Sequence, residues 1–117
     1  MMDETSLLNR LYAAFNARDI DGVLAHTHAD IDWPNGWEGG RLHGTAAVRD
    51  YWTRQWAEID PVVTPEAFTT RPDGGIAVTV HQVVRTHDGA VQSDSRVIHV
   101  YRFEAGRVRA MDILPSG

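Results

Sequence analysis

Four extended segments, separated only by short turns, make up the second half of the chain and constrain its fold more than any other feature. The residues alternate and are rich in β-branched and aromatic types, which predicts strands. These strands cover approximately Val62–Arg71, Ile76–Thr86, Val91–Glu104 and Val108–Leu114. Each break contains a glycine in the sequence context of a hairpin turn. The pattern predicts an antiparallel meander, and Pro65, which cannot donate a ladder hydrogen bond, predicts an edge position or a bulge.

The first half is periodic in the manner of helices. The apolar residues of the first helix recur at helical spacing: Leu7, Leu8, Leu11 and Phe15. A second, short helix follows Asp19, and a third begins near Gly44-Thr45 and ends at Ile59, before Asp60-Pro61. Helices followed by hairpin-linked strands predict one α+β domain over residues 1–117, with the helices on one face of an antiparallel sheet.

In the predicted strands Ile76–Thr86 and Val91–Glu104, neither face consists mainly of polar residues. One face carries Val97, His99 and Tyr101, whereas the opposite face carries Ile98 and Val100. An antiparallel sheet with one solvated face normally alternates apolar and polar residues. We therefore expect the outer face, with Val83, Ile98 and Val100, to be covered by a second copy of the chain in a homodimer.

Composition excludes several classes of function. The 117 residues include no cysteine, which rules out disulfides, thiolate nucleophiles and cysteine-bound metals. The net charge is −5 and the eleven arginines are spread along the chain, which argues against nucleic acid as the partner. No apolar run approaches the roughly 20 residues of a membrane span, and the acidic N-terminus lacks a signal core. A soluble cytoplasmic protein without a membrane partner is the expectation.

Four stretches together resemble the SnoaL-like, ketosteroid-isomerase-like branch of the NTF2-like superfamily. They are Tyr12–Gly22, Gly44–Trp52, His99–Phe103 and Arg107–Met111. The resemblance extends from Leu8 to Leu114. It implies an NTF2-like (cystatin-like) cone, in which a curved antiparallel or mixed sheet carries three helices on its concave face and a pocket opens at one end. Dimers through the outer sheet face are common in that family.

The resemblance does not extend to the catalytic residues of two enzymes of that superfamily, ketosteroid isomerase and the epoxide hydrolase. In the ketosteroid-isomerase pattern, the base falls at Asn35, the tyrosine at Leu11 and the protonated acid at His99. In the epoxide-hydrolase pattern, the last aspartate falls at Ile113. Both mechanisms are therefore disfavoured. The resemblance still implies a small apolar ligand and no cofactor, and two hypotheses remain open: a cofactor-independent isomerase, hydratase or cyclase, and a non-catalytic dimeric binding or assembly module whose pocket is filled.

His99 is the main catalytic candidate. It shares parity with Val97, Tyr101 and Phe103, which the fold would turn towards the cone. A histidine among apolar side chains can work as an acid–base catalyst, and its alternative is a structural role in a packed core. Because no acidic residue of the same strand shares its face, we expect burial to keep the imidazole neutral at pH 7.

Five further residues are expected to line the pocket and orient a substrate. They are Trp33, Asn35, Gln82, Tyr101 and Met111. Trp33 and Trp37 flank the loop at the expected pocket mouth, where a flat aromatic wall suits a planar ligand. For Asn35, the turn Pro34-Asn35-Gly36 offers a simpler explanation, since asparagine is favoured in turns.

His26 and His28 have the look of a metal pair, but the resemblance places both on the second helix. Residues two apart on a helix do not face each other, and catalytic zinc needs three convergent ligands. We therefore expect no metal site. The resemblance also turns His26 towards the sheet, which makes it a second acid–base candidate after His99.

Overall fold

The computed structural model describes residues 3–36 and 38–115, and this part of the chain forms three helices and six strands. In chain order they are α1 (Glu4–Asn16), α2 (Ile20–Leu24), β1 (Thr27–Pro34), β2 (Arg41–His43), α3 (Thr45–Glu58), β3 (Asp60–Thr70), β4 (Ile76–Arg85), β5 (Val91–Glu104) and β6 (Arg107–Pro115). The first helix begins where Asp3 accepts a hydrogen bond from the Ser6 amide at 2.8 Å, a side-chain cap of the expected type. Within these ranges no helix is long and apolar enough to cross a membrane.

The six strands form one mixed sheet in the order β2-β1-β6-β5-β4-β3. Strands β3 to β6 are the predicted antiparallel meander, and β1 lies parallel to β6. The α+β prediction is therefore confirmed, with the parallel pair making the sheet mixed.

Both alternatives predicted for Pro65 occur together. Its strand, β3, lies at the edge of the sheet, and the β3–β4 register shifts between Pro65 and Ala67. A residue without an N–H is tolerated at such a place because no ladder bond is required of it.

The helices cover one face of the sheet, which we call the inner face. The core forms where apolar helix residues meet strand residues of one parity. Its most buried members include Leu8, Leu11, Val23, Ile31, Trp52, Val78, Val80 and Tyr101. The β4–β5 and β5–β6 registers align Val78 with His99 and Tyr101 with Met111, so these residues share the inner face as the parity predicts.

The expected placement of His26 and His28 on the second helix is wrong. Helix α2 ends at Leu24, and β1 has already begun at Thr27. His26 lies in the turn between them, and its carbonyl accepts a hydrogen bond from the Val108 amide of β6 at 2.9 Å. His28 lies in β1, where its Nε2 is 3.0 Å from a carboxylate oxygen of Glu104.

The outer face of the sheet is partly apolar. Ile98 is half-buried and pairs with Leu114, which is 42% exposed, whereas Val100 is already buried within the single chain at 3% exposure. His81 lies on this face as expected, and its Nε2 is 2.6 Å from an Asp94 carboxylate oxygen.

Candidate functional site

A cavity of about 710 Å³ is lined by residues of α1, α3 and the sheet, and residues of both sheet parities contribute to it. Six of its lining residues are aromatic: Tyr12, Phe15, Trp33, Tyr51, Trp52 and Tyr101. Trp33 and Trp52 meet edge to face with their ring centroids 5.5 Å apart, and Phe15 meets Trp52 in the same way at 5.5 Å. Such contacts hold the rings in fixed orientations, so the cavity has stiff, flat walls.

A chain of hydrogen bonds leads from the buried core to His99. The Tyr101 hydroxyl donates to the Tyr12 hydroxyl at 2.8 Å, and the Tyr12 hydroxyl lies 2.8 Å from His99 Nδ1. Tyr12 comes from α1 and the other two residues from β5, so the tertiary fold assembles the chain. The Tyr12 and His99 rings also stack, with an interplanar angle of 13°.

The burial of the Tyr101 hydroxyl determines which group donates in each of these two hydrogen bonds. Tyr101 is completely buried, and among the described residues its hydroxyl has a single partner, Tyr12. If Tyr12 donated to Tyr101, the Tyr101 proton would be buried without an acceptor, which is costly. Tyr101 therefore donates to Tyr12, and the Tyr12 proton goes to His99 Nδ1. The neutral imidazole then carries its own proton on Nε2.

The ring nitrogen of His99 that Tyr12 does not contact is Nε2. Within residues 3–36 and 38–115, it has no hydrogen-bond partner. Among the described residues, two side-chain nitrogens are both sealed from solvent and without a hydrogen-bond partner: Trp56 Nε1 and Arg71 Nε. His99 Nε2 is not one of them. Since His99 lines the cavity, its Nε2–H can be reached from inside the cavity.

Burial sets the protonation states of the three residues in this hydrogen-bond chain. Desolvation lowers the pKa of His99 to about 4, so the imidazole is neutral at pH 7 as expected. Protonation would also place a proton on Nδ1, the atom that accepts the hydrogen bond from Tyr12. Burial raises the pKa values of Tyr12 and Tyr101, and both hydroxyls stay protonated.

The cavity holds no free carboxylate among its described lining residues. The one acidic lining residue is Asp112, whose side chain lies on the outer-face parity of β6. Its two oxygens are each 2.9 Å from a guanidinium, one from Arg41 and the other from Arg102. Both oxygens of the one acidic lining residue are therefore engaged in ion pairs.

Four of the five residues expected to orient a substrate line the cavity: Trp33, Gln82, Tyr101 and Met111. The side-chain amide of Gln82 makes no hydrogen bond within the described part of the chain. Asn35 lies outside the lining. Its Oδ1 accepts from the Glu38 amide at 2.7 Å, so it organises the loop as the turn explanation predicts. Trp37 lies outside the described residues.

His26 is separate from this cavity. It lines a shallow cleft with Asp3, Leu7 and Arg107. Partial burial, followed by the charges of Arg10 and Arg107, lowers its pKa. The structure thus does not bring the two candidate histidines together. In the described part of the chain, no group of three or more His, Asp and Glu side chains is arranged to hold a metal.

Tyr12 is the site residue that sequence reasoning missed. It follows Leu11 in the buried stripe of α1 and is 2% exposed. A signal was present, because a tyrosine at an inward helical position must find a partner for its hydroxyl. The identity of that partner was hidden, since His99 lies 87 residues further along the chain.

Solved structures of the same fold include proteins crystallised with small molecules. TerC, co-crystallised with polyporic acid, is 22% identical with a TM-score of 0.82, over 96% of this chain and 90% of that one. A Mycobacterium tuberculosis protein in complex with estradiol-17β-hemisuccinate is 22% identical with a TM-score of 0.76, over 90% and 87%. An NTF2-like protein of unknown function from Burkholderia pseudomallei K96243 is 25% identical with a TM-score of 0.84, over 99% and 92%.

These likenesses establish the NTF2-like fold, and a comparison with curated proteins finds no match. The family itself follows from a sequence model, that of the SnoaL-like domain, which matches residues 8–111. This match covers almost all of the described chain and agrees with the resemblance drawn from the sequence motifs. The chain belongs to the SnoaL-like domain family.

Proposed function

We propose that this protein binds a flat, mainly apolar small molecule in the cavity and holds it through a hydrogen bond from His99 Nε2–H to an oxygen of the ligand. The observation that carries the proposal is the buried Tyr101–Tyr12–His99 chain, which ends in one donor at an aromatic cavity. Aromatic walls with a few placed polar groups are typical of small-molecule sites. Two proteins of the same fold were crystallised with polyporic acid and with estradiol-17β-hemisuccinate, which supports a ligand of this kind.

The same geometry favours binding over proton abstraction. A general base needs an unprotonated atom near the substrate, whereas the tautomer derived above places a proton on the reachable nitrogen of His99. Asp112, the one acidic residue of the described lining, lies on the outer-face parity of β6 and has both oxygens in ion pairs. The role open to His99 is that of a neutral donor, which can hold a carbonyl or enolate oxygen.

Ligand binding is testable by fluorescence. Trp33 and Trp52 lie in the cavity wall, so polyporic acid or estradiol-17β-hemisuccinate bound there should quench the emission of the protein. We expect His99→Phe to weaken binding about tenfold, because it removes one hydrogen bond from a buried site. His81→Phe, which changes a histidine of the outer face, should leave the affinity unchanged. Absence of quenching by both compounds, or equal affinity in the His99→Phe variant, would contradict the proposal.

We also propose that two copies associate through the outer sheet face. Ile98 lies near the centre of its apolar part, between Thr79 on one neighbouring strand and Leu114 on the other. Burying such a surface yields about 25 cal/mol per Å² before the costs of association.

Light scattering at micromolar concentration tests the dimer. We expect the native chain to have twice the monomer mass and Ile98→Asp to be a monomer, because a carboxylate would be buried without a partner at the interface. Ile113→Asp introduces the same charge on the inner face of β6 and should keep the dimer mass. A monomeric native chain would rule out this interface.

A further inference from the structure

The side-chain amide of Gln82 is a second polar group in the cavity lining that has no partner. Gln82 lies on the inner-face parity of β4, between Val63 of β3 and Ser95 of β5. It is half-buried and lines the cavity. Within the described ranges the amide makes no hydrogen bond, and neither its nitrogen nor its oxygen is sealed from solvent. It therefore has donors and an acceptor available to a molecule in the cavity.

Two other amide side chains in this region already have partners. Asn16 bonds to the backbone of Val63, donating to its carbonyl at 2.8 Å and accepting from its amide at 3.0 Å. Gln55, which also lines the cavity, donates to the Tyr51 hydroxyl at 2.9 Å. These bonds hold the strand beside Gln82 and the facing helix, whereas the Gln82 amide holds nothing within the described part of the chain.

The charged residues of the described lining lie far along the sheet from Gln82. They are Arg41, Arg71, Arg102 and Asp112. Arg41 and Arg102 are both bound to Asp112. The β5 partner of Asp112 is Val100, five residues from the β5 partner of Gln82, which is about 16 Å along the strand. Arg71 lies at the β3–β4 turn, where its backbone amide donates to the Gly75 carbonyl.

A ligand group that meets Gln82 inside the cavity is therefore a neutral one. A charged group there would lose hydration with no opposite charge of the described lining beside it, which is costly. An apolar group would instead leave the amide without water and without a partner. A hydroxyl avoids both costs, because the amide oxygen can accept its proton.

The distance between Gln82 and His99 sets the length of a ligand that bonds to both. The β4–β5 register aligns Val78 with His99, and Gln82 lies four residues further along β4 on the same face. At a rise of roughly 3.3 Å per residue, the two positions are about 13 Å apart. A ligand that reaches both side chains therefore carries two polar groups roughly 10–13 Å apart, at opposite ends of a rigid frame.

We propose that Gln82 is a ligand-binding residue and that the cavity selects an elongated, rigid molecule with a carbonyl oxygen at His99 and a hydroxyl at Gln82. The inference rests on the proposed function for the contact with His99. It adds the length of the ligand and the chemistry of its second end.

Two biphenyl ketones that differ by one hydroxyl test the second end. para-Acetylbiphenyl has a single carbonyl, and para-acetyl-para′-hydroxybiphenyl adds a hydroxyl at the far end of the same frame. In calorimetric titrations we expect the native chain to bind the hydroxy compound about fivefold more tightly. Gln82→Leu should abolish this difference. His99→Phe should weaken the binding of both ketones and keep the difference between them.

His81→Leu is the matched control. It places the same new side chain at the adjacent position of β4, on the outer face, and should change neither affinity. An equal loss of the hydroxyl advantage in His81→Leu and Gln82→Leu would show that the effect does not come from the cavity, and would overturn the inference.

Urea denaturation without ligand separates ligand binding from a structural role of Gln82. The midpoint of Gln82→Leu should be no lower than that of the native chain, because no hydrogen bond of the folded protein is lost and a half-buried amide becomes apolar. A clearly lower midpoint would mean that the amide holds the fold, and would overturn the inference.

The binding results also distinguish this inference from the proposed function. A hydroxyl that adds no affinity in the native chain, or an advantage that survives in Gln82→Leu, would overturn the inference alone. If polyporic acid binds in a manner that depends on His99 while neither ketone binds, the proposed function stands and the inference fails. Absence of binding by polyporic acid, by estradiol-17β-hemisuccinate and by both ketones would contradict the two together.

Discussion

Replacing Tyr12 with phenylalanine should destabilise the protein by about 3 kcal/mol, although only one oxygen atom is removed. The Tyr12 hydroxyl accepts from Tyr101 and donates to His99 Nδ1, and both partners are buried. Its loss leaves one donor and one acceptor without a partner, and each costs roughly 1–3 kcal/mol. Urea denaturation of the native chain and the variant measures the difference.

Tyr101→Phe is the matched control for this experiment. It also removes one hydroxyl from a completely buried tyrosine, but it leaves the bond between Tyr12 and His99 intact. The double variant Tyr12→Phe/Tyr101→Phe should be more stable than Tyr12→Phe alone, because the unpaired Tyr101 donor is then gone. Equal losses in the two single variants, or strict additivity in the double variant, would show that the hydroxyls do not act as a chain.

The second large expected effect is a loss of folding stability at low pH. The folded pKa of His99 is lowered to about 4, whereas the ordinary value that it would have in the unfolded chain is 6.5. Between these values the unfolded state binds a proton that the folded state does not, so stability falls as pH decreases. From pH 7 to pH 5 the loss from this residue is about 2 kcal/mol.

Denaturation at both pH values, with and without His99, isolates this contribution. His99→Phe should remove about 2 kcal/mol of the decrease between pH 7 and pH 5, whatever its stability at pH 7. His81→Phe, which changes a histidine on the outer face, should retain that decrease. A His99→Phe variant that loses stability with acid as steeply as the native chain would mean that His99 titrates normally.

Local patterns in the sequence predict the sheet well because strand geometry is local. Side chains alternate with a period of two, so the parity of Val97, His99 and Tyr101 is enough to assign all three residues to one face. The expected range of β5 agrees with the structure at both ends. Pro65 is informative for the same reason, since a missing N–H has the same consequence in every sheet.

Features that depend on distant contacts are predicted poorly. The second helix was expected to include His26 and His28, but the His26 carbonyl accepts from an amide of β6 and the chain enters β1 at Thr27. Arg41 lies in a short extended segment, and nothing in that segment indicates its bridge to Met111, which joins residues 70 positions apart. The Tyr12–His99 bond is of the same kind. Local propensity and periodicity do not depend on contacts between distant residues, so they cannot predict them.

The protonation of the His99 ring is the most direct test of the proposed site. Nitrogen-15 NMR distinguishes a protonated from an unprotonated ring nitrogen, so a spectrum of the labelled protein reports the tautomer and its titration. We predict a neutral ring with the proton on Nε2, an unprotonated Nδ1, and no protonation between pH 7 and pH 5. A proton on Nδ1 at pH 7, or a titration midpoint near the ordinary value of 6.5, would contradict the donor role of His99.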